Sequence, residues 1–346
     1  MTAAVAATRR AGRPGEPPLR VAIMSDEIGW HTRQLQAALR TRGAVGRCVD
    51  LADCHVDTSA TWHGLALPGF GKTLPDAVLV RGIAGGTFEQ VTKRLGVLHA
   101  LRELGVPVYN DAHAIERSVD KSMTSLLLHA AGIPSPPTWA TESAAQAQRT
   151  VMREAAMGHA VVLKPLFGSQ GRGLQRIGLV DGVFHPLPAL DAAAGVYGGL
   201  AYLQRLLPAI STPGFDWRVL VIGGRAVAAM RRISAHWVHN LAQGAHCQAC
   251  TLTPDLAALA QAAAAALGMD YAGVDLMPCA GPIAPLQVIE VNGVAAWQGL
   301  QRVTRFNIAA ALVDDLLDRK LAGLAPALPA VAAAPPAPSR AWPRRA

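Results

Sequence analysis

Charge and aromatic rings are both scarce in this chain of 346 residues, at 16% and 5% respectively. So few rings exclude a core built on large aromatics, and alanine, leucine and valine must do most of the packing. Long apolar runs are lacking too, since the longest weakly polar stretch, Leu256 to Leu267, is too short and too alanine-rich to span a bilayer. Arg9-Arg10 is followed by glycine and proline rather than an apolar segment, so neither a secretory nor a twin-arginine signal fits. The expectation is a cytoplasmic protein that engages no membrane. Five cysteines, an odd number with no export signal, argue for reduced thiols rather than a disulfide framework.

The net charge of +8 resembles a nucleic-acid signal until it is located. Arg9, Arg10, Arg13 and Arg20 against Glu16 put +3 in the first twenty residues, and Arg340, Arg344 and Arg345 put another +3 in the last twelve. Both ends are rich in alanine, proline and arginine, a composition with little to bury, so residues 1–19 and 323–346 read as solvated tails. No specific nucleic-acid partner is expected. His236-x-x-His239 followed by Cys247-x-x-Cys250 offers a four-ligand zinc spacing, but Asn240 and Gly244 lie between and nothing nearby resembles a compact zinc module.

Between the tails the pattern changes once. Val21 to Met24, Val45 to Leu51, Ala77 to Val80 and Val106 to Tyr109 read as strands that alternate with helices over Thr32 to Arg42 and Phe88 to Leu104, each closed by glycine. That predicts a parallel sheet covered on both faces over residues 20–110. A helix through Leu126 to Ala131 precedes "GIPSPPTWA", whose three prolines mark a connector. Beyond it short strands dominate (160–164, 174–177, 202–204, 217–222 and 226–231), with a Gly223-Gly224 hairpin turn between the last two. Thr253-Pro254-Asp255 starts an alanine-rich helix that ends at Gly268, the strands "YAGVDLMP" and "LQVIEVN" follow, and a last helix covers Asn307 to Lys320. This half is α+β and antiparallel.

Two constellations carry chemistry. In "VVLKPLFGSQGRG" a strand delivers Lys164 to a loop holding Gly168, Ser169, Gln170, Gly171 and Gly173, in which successive glycines would let backbone N–H groups turn toward phosphate oxygens. A flexible hairpin tip with a surface lysine is the bland alternative. "LPGFGKT", Leu67 to Thr73, ends like a phosphate-binding P-loop but has Ala66 where the first glycine belongs and no helix after it, so it reads as a loop. In the second constellation Glu290 and Asn292 share one face of a strand, and Asp275 on a paired neighbour would join them. Two carboxylates and an amide suit magnesium, with a structural salt bridge as the alternative. Arg218 and Arg232 place positive charge between loop and carboxylates.

These segments, with "NDAHAIERSVDKSMTSLLLHAAGIPSPPTW", "YLQRLL", "DWRVLVIGGRAVAAMRR" and "HNLAQGA", resemble in order an ATP-grasp ligase of the RimK-like group, the amino-acid ligases that include α-L-glutamate ligases. The resemblance covers about residues 75 to 320. It implies an α/β, Rossmann-like pre-ATP-grasp domain (20–110) ahead of two α+β subdomains, 111–205 with the glycine-rich lid and 206–322 with the metal site, holding ATP between them. By motif position Lys121 and Lys164 would meet the phosphates, Gly168 to Gly173 would close over them, and Gln204 would lie at the nucleotide hinge. Asp275, Glu290 and Asn292 would hold two magnesium ions, with manganese as a substitute. Arg232 and Asn240, with Arg218, would face the reacting phosphoryl group or acceptor. A homo-oligomer is also implied. Two departures stand out: Gln204-Arg205 replaces the usual Gln-Glu, and "GVAAWQGLQRVT" replaces a serine-proline-glycine stretch, its Trp297 resembling ligases associated with pterin-type one-carbon cofactors.

The expected reaction joins a carboxylate to the amine of an amino acid, glutamate by resemblance, through an acyl phosphate. It needs positioning and charge neutralisation rather than a nucleophilic side chain, in keeping with the lack of any Ser-His-Asp context. A ligase acting on a peptide or protein C-terminus, and a non-catalytic ATP-binding regulator with Arg205 as its mark, are the rival readings.

Overall fold

The computed structural model describes residues 17–59, 61–168, 170–190, 195–279 and 285–323. The basic tails fall almost wholly outside those bounds, as does Ser169.

The first strand, Arg20–Met24 (β1), is apolar after its first residue and is buried there. Helix Trp30–Thr41 (α1), strand Val45–Val49 (β2), a two-stranded ribbon of His55–Val56 (β3) and Leu65–Ala66 (β4), strand Ala77–Val80 (β5), helix Phe88–Glu103 (α2) and strand Val108–Tyr109 (β6) follow. The four long-range strands run parallel in the order β2-β1-β5-β6. Thr87 caps α2 with Gln90 in a reciprocal box, which sets its start. The P-loop-like stretch is a tight turn, bridged between Leu67 and Gly71 and anchored by buried Phe70, and it leads into β5 rather than a helix.

Asp111 and Asp120 cap two helices, Ala112–Val119 (α3) and Lys121–Ala130 (α4), of which sequence periodicity yields only the end of the second. The proline-rich connector ends in a strand, Thr138–Thr141 (β7), because regular structure resumes at the residue after Pro137. Helix Ala144–Ala156 (α5) and strands Ala160–Lys164 (β8), Gln175–Val180 (β9), Val183–His185 (β10) and Ala201–Arg205 (β11) complete an antiparallel sheet ordered β10-β9-β8-β11-β7. Its small core sets Ala147 and Val151 of α5 against Val161, Leu163, Ile177 and Leu203.

A third sheet, also antiparallel, is ordered β14-β13-β12-β15-β16 and holds Gly214–Ile222 (β12), Arg225–Ser234 (β13), His246–Ala249 (β14), Tyr271–Pro278 (β15) and Leu286–Asn292 (β16). Helix Pro254–Leu267 (α6) lies before β15; Gln298–Val303 (α7) and Ile308–Asp314 (α8) follow β16. Alternation along β12 decides the packing. Val219 and Val221 share a core with α6, Ala114 of α3 and Leu128 of α4, so α4 packs into the core of the third sheet rather than the second, while Ala112 and Ile115 of α3 join the core of the parallel sheet. Leu220 and Ile222 point the other way, into one core with α8, α1 and the inner face of the parallel sheet. The parallel sheet and the third sheet are therefore fused through apolar contact.

Asn110 fastens this junction. Fully buried, its amide donates to the carbonyls of Tyr271 (2.7 Å) and Gly293 (2.6 Å), and its oxygen accepts from the N–H groups of Asp270 (2.7 Å) and Tyr271 (3.0 Å). Unpaired buried groups cost about 1–3 kcal/mol each, so Asn110→Ala is expected to lower unfolding free energy by about 3 kcal/mol or more, read from urea denaturation midpoints.

Candidate functional site

A cleft of about 420 Å³ opens between the second and third sheets. One wall carries Val162 and Lys164 of β8 and the glycine loop, the other Asp216, Arg232, Asp275 and Glu290, with Gln204 to Ala209 between them. Of the residues singled out from sequence, Lys121, Lys164, Gly168, Gln170, Gly171, Gln204, Arg232, Asn240, Asp275 and Glu290 line it together. Gly173 is exposed outside it, and Arg218 is buried behind its surface. Asn292 lies beyond its edge, and Ser169 lies outside the described residues.

The polar wall is one face of a sheet, and strand register builds it. Arg232 on β13 is opposite Asp216 on β12; Arg218 on β12 is opposite Asp275 on β15; Asp275 is opposite Glu290 on β16. Opposite charges facing across strands attract, and the first two pairings are contacts, whereas Asp275 and Glu290 set two like charges side by side. Arg232 clasps Asp216 through two bonds (2.7 and 2.6 Å) and reaches Asp275 at 3.0 Å. Arg218 binds both oxygens of Asp275, Nη2 to Oδ2 at 3.0 Å. All four side chains are buried. Burial pushes the carboxyl of Asp275 up, but Arg218 and Arg232 outweigh it and hold the group below the usual carboxylate range. For Asp216 burial wins over Arg232 and raises the carboxyl.

On the facing wall Lys164 donates to Oε1 of Gln204 (2.6 Å), its partner strand being β11. Burial lowers this amine to about 8, opposed by Glu290, deepened by Lys121 and opposed again by Asp275. Lys121, at the first turn of α4, donates to the carbonyls of Gly168 (2.5 Å) and Leu166 (3.4 Å) and stands 3.7 Å from Glu290. The loop thus presents carbonyls to Lys121 at its start, whereas the sequence expectation was a turn of N–H groups. Further along, the loop touches the opposite wall. Gly171 has φ +71°, and a Cβ there would sit 2.7 Å from Val238 and 2.9 Å from Oδ1 of Asn240, so glycine is what permits the approach.

The oxygen set fits a hard divalent cation. Asp275 divides its carboxylate between two guanidinium groups, whereas Glu290 is part-exposed with an amine as its near cation. Asn292, two residues along the same face, donates to the Gly273 carbonyl at 3.1 Å and keeps Oδ1 as an acceptor. The zinc spacing does not converge. Cys247 packs beside the core of Met230 and Trp297, Cys250 beside that of α6, His236 is exposed and His239 faces Asp216. Among the described residues no group of three or more His, Cys, Asp or Glu is assembled for a metal.

Both departures from the family pattern have structural reasons. Arg205 turns away to Glu154 of α5, binding Oε2 through Nε (2.9 Å) and Nη2 (2.7 Å), and that carboxylate is almost wholly buried. Trp297 is 1% exposed, packed edge-on against Trp30 and His31 of α1, so it acts through packing rather than by reaching the cleft. Nε2 of His31 accepts from the N–H groups of Trp297 (3.1 Å) and Gln298 (3.2 Å), and burial, with Arg81 nearby, lowers this imidazole to about 4 and keeps it neutral. Sequence reasoning passed over Asp216 and weighed His239 as a zinc ligand. The spacing of Asp216 and Arg218, two apart on one strand face, was the available signal for the first.

Two sheets closing on a lysine-lined cleft behind a parallel-sheet domain define the ATP-grasp class. The RimK-like ATP-grasp domain matches residues 118–316 and the RimK PreATP-grasp domain residues 19–115. The tetrahydromethanopterin:alpha-L-glutamate ligase of Methanococcus maripaludis is 34% identical over 239 residues, covering 69% of this chain and 78% of that protein. A probable alpha-L-glutamate ligase of Pseudoalteromonas atlantica is 29% identical over 306 residues, covering 87% and 96%. The solved structure of the ATP-grasp ligase PsnB with minimal precursor, Mg and ADP shares the fold, with a TM-score of 0.61 at 22% identity over 86% of this chain and 97% of that one. The chain belongs to the RimK-like ATP-grasp family and is a carbon–nitrogen ligase, a class whose fold implies the use of ATP and Mg2+. Among the described residues no helix is long and apolar enough to cross a membrane.

Two outcomes test this geometry. Arg205→Ala strands a buried carboxylate and is expected to cost about 2–3 kcal/mol, below the usual range because Arg153 and His159 remain within 3.6 Å of Glu154, as measured by chemical denaturation. Between about 8 and 10.5 the unfolded chain keeps the proton that native Lys164 has released, so this group adds stability as pH rises through that window. The urea midpoint of the wild type relative to Lys164→Met is therefore expected to rise from about pH 7.5 to about pH 10.

Proposed function

We propose that this ligase adds glutamate to a carboxylate of a tetrahydromethanopterin-type pterin. The observation that carries the ligase chemistry is the cross-strand charge array facing two lysines across one cleft. The substrate reading is supported by relatives named tetrahydromethanopterin:alpha-L-glutamate ligase in three organisms, at 32–34% identity.

In this reading Lys164 and Lys121 neutralise the ATP phosphates, and the loop from Gly168 to Gly173 covers them with Gln204 at the hinge. Glu290 and Asn292, with Asp275, hold two magnesium ions, which supply charge neutralisation and alignment of the phosphate oxygens when bound; manganese would serve in the same donor set. Arg218 keeps Asp275 ionised and oriented. Arg232 and Asn240 face the phosphoryl group as the acceptor carboxylate attacks the γ-phosphorus and ADP leaves. The resulting acyl phosphate is captured by the amine of glutamate, with loss of inorganic phosphate. The contact of Gly171 with Val238 and Asn240 is where a closed lid keeps water from the acyl phosphate.

The test is to incubate the protein with ATP, Mg2+, glutamate and tetrahydromethanopterin, following ADP release and the gain of one glutamyl unit by mass spectrometry. Glu290→Gln is expected to cut turnover by about 100-fold or more with little change in unfolding midpoint. Full activity in that variant removes the metal assignment, and transfer confined to a peptide C-terminus replaces the pterin reading.

A further inference from the structure

Amide formation leaves one task that the residues placed so far do not perform. The amino donor arrives as an ammonium, and its nitrogen has no lone pair until a proton leaves. Lys164 and Lys121 are cations committed to phosphate, Asp216 and Asp275 are held by arginines, and Glu290 is committed to the metal. His239 lines the same cleft and is buried, yet among the described residues neither ring nitrogen is within hydrogen-bond distance of a partner.

Its placement follows from the charge array. The segment after β13 brings Nδ1 of His239 to 3.8 Å from Oδ2 of Asp216, which Arg232 links onward to Asp275. The imidazole therefore stands two carboxylates from the metal end, on the same wall. Gly214 clears the space beside its other nitrogen: a Cβ there would lie 2.9 Å from Nε2 and 3.4 Å from Cε1. Gly214 itself lines the cleft, so any larger residue would press on that edge of the ring. Asn240, next in sequence, is touched by Gly171 of the loop, which places the imidazole under the closing lid. Burial, and then the charge of Arg232, lower the imidazole below its ordinary value and keep it neutral, the form that accepts a proton.

Resting on the ligase reading above, we propose that His239 is the general base for the amine, a catalytic residue taking the proton at Nε2 while Asp216 faces Nδ1. The ammonium gives one proton to Nε2; the freed lone pair of nitrogen attacks the acyl carbon and the C–N bond forms. The bond from the acyl carbon to the bridging oxygen breaks, inorganic phosphate leaves with that electron pair and takes the second proton of the nitrogen, and the imidazolium passes its proton to water when the lid opens.

The test separates the two half-reactions. Wild type and His239→Gln are each given ATP, Mg2+ and tetrahydromethanopterin, with either glutamate or hydroxylamine as nucleophile. Hydroxylamine is uncharged at neutral pH and needs no base, so it traps the acyl phosphate as a hydroxamate. His239→Gln is expected to lose about 100-fold or more in amide formation while forming hydroxamate at the wild-type rate, which also shows that the variant is folded and activates the acceptor. Wild-type amide formation in the variant, or equal loss with both nucleophiles, overturns the assignment. A wild-type protein that yields neither product refutes the ligase reading on this acceptor, and the His239 step with it.

Discussion

Everything in this site depends on placing two arginines and two aspartates, buried, on one face of a sheet. Alone, any of the four would be expelled from a low-dielectric wall or would neutralise itself; together they satisfy one another through paired hydrogen bonds. Strand register is what makes the arrangement possible. Asp216 and Arg218 are two apart on β12, and each finds its opposite charge directly across, on β13 and on β15. The array ends at Glu290, which lies across from Asp275 and 3.7 Å from the amine of Lys121.

The same strand face explains how the fold holds this array still. Past Arg218 it continues as Leu220 and Ile222, which enter the core shared with the parallel sheet and α8. The charged half and the apolar half of one face are thus a single rigid unit, locked by Asn110 at the end of the parallel-sheet domain. The second sheet has its own smaller core and meets this unit through α4, the hinge and the glycine loop. A rigid charged wall facing a separately packed, glycine-bearing one is what a cleft that opens and closes requires.

Much of this was legible in the residues. Glycine stops and apolar runs set out the parallel sheet, Gly223-Gly224 marked the long hairpin, and the period of two put Glu290 and Asn292 on one face, because each depends on neighbours in sequence. What escaped depends on distance along the chain. α5 has a cap in Ser143 but buries Thr150 and Glu154, so its inward face does not read as apolar, and Arg205, which answers Glu154, looked like a damaged nucleotide contact. Trp297 looked like a substrate feature and is a packing residue. His239 sat in a zinc-like spacing whose cysteines turn to two different cores. In each case the partner lies fifty residues away or more, or on another element, and local pattern cannot name it.

In the proposed site the charged wall and the two lysines surround one metal-bound triphosphate. A crystal of the protein grown with ADP and Mn2+ tests it most directly, through the anomalous signal of the metal. The expected signal lies beside Glu290 and Asn292, with phosphate oxygens between it and Lys164 and Lys121. A metal signal elsewhere on the chain, or a nucleotide seated outside the cleft, would contradict it.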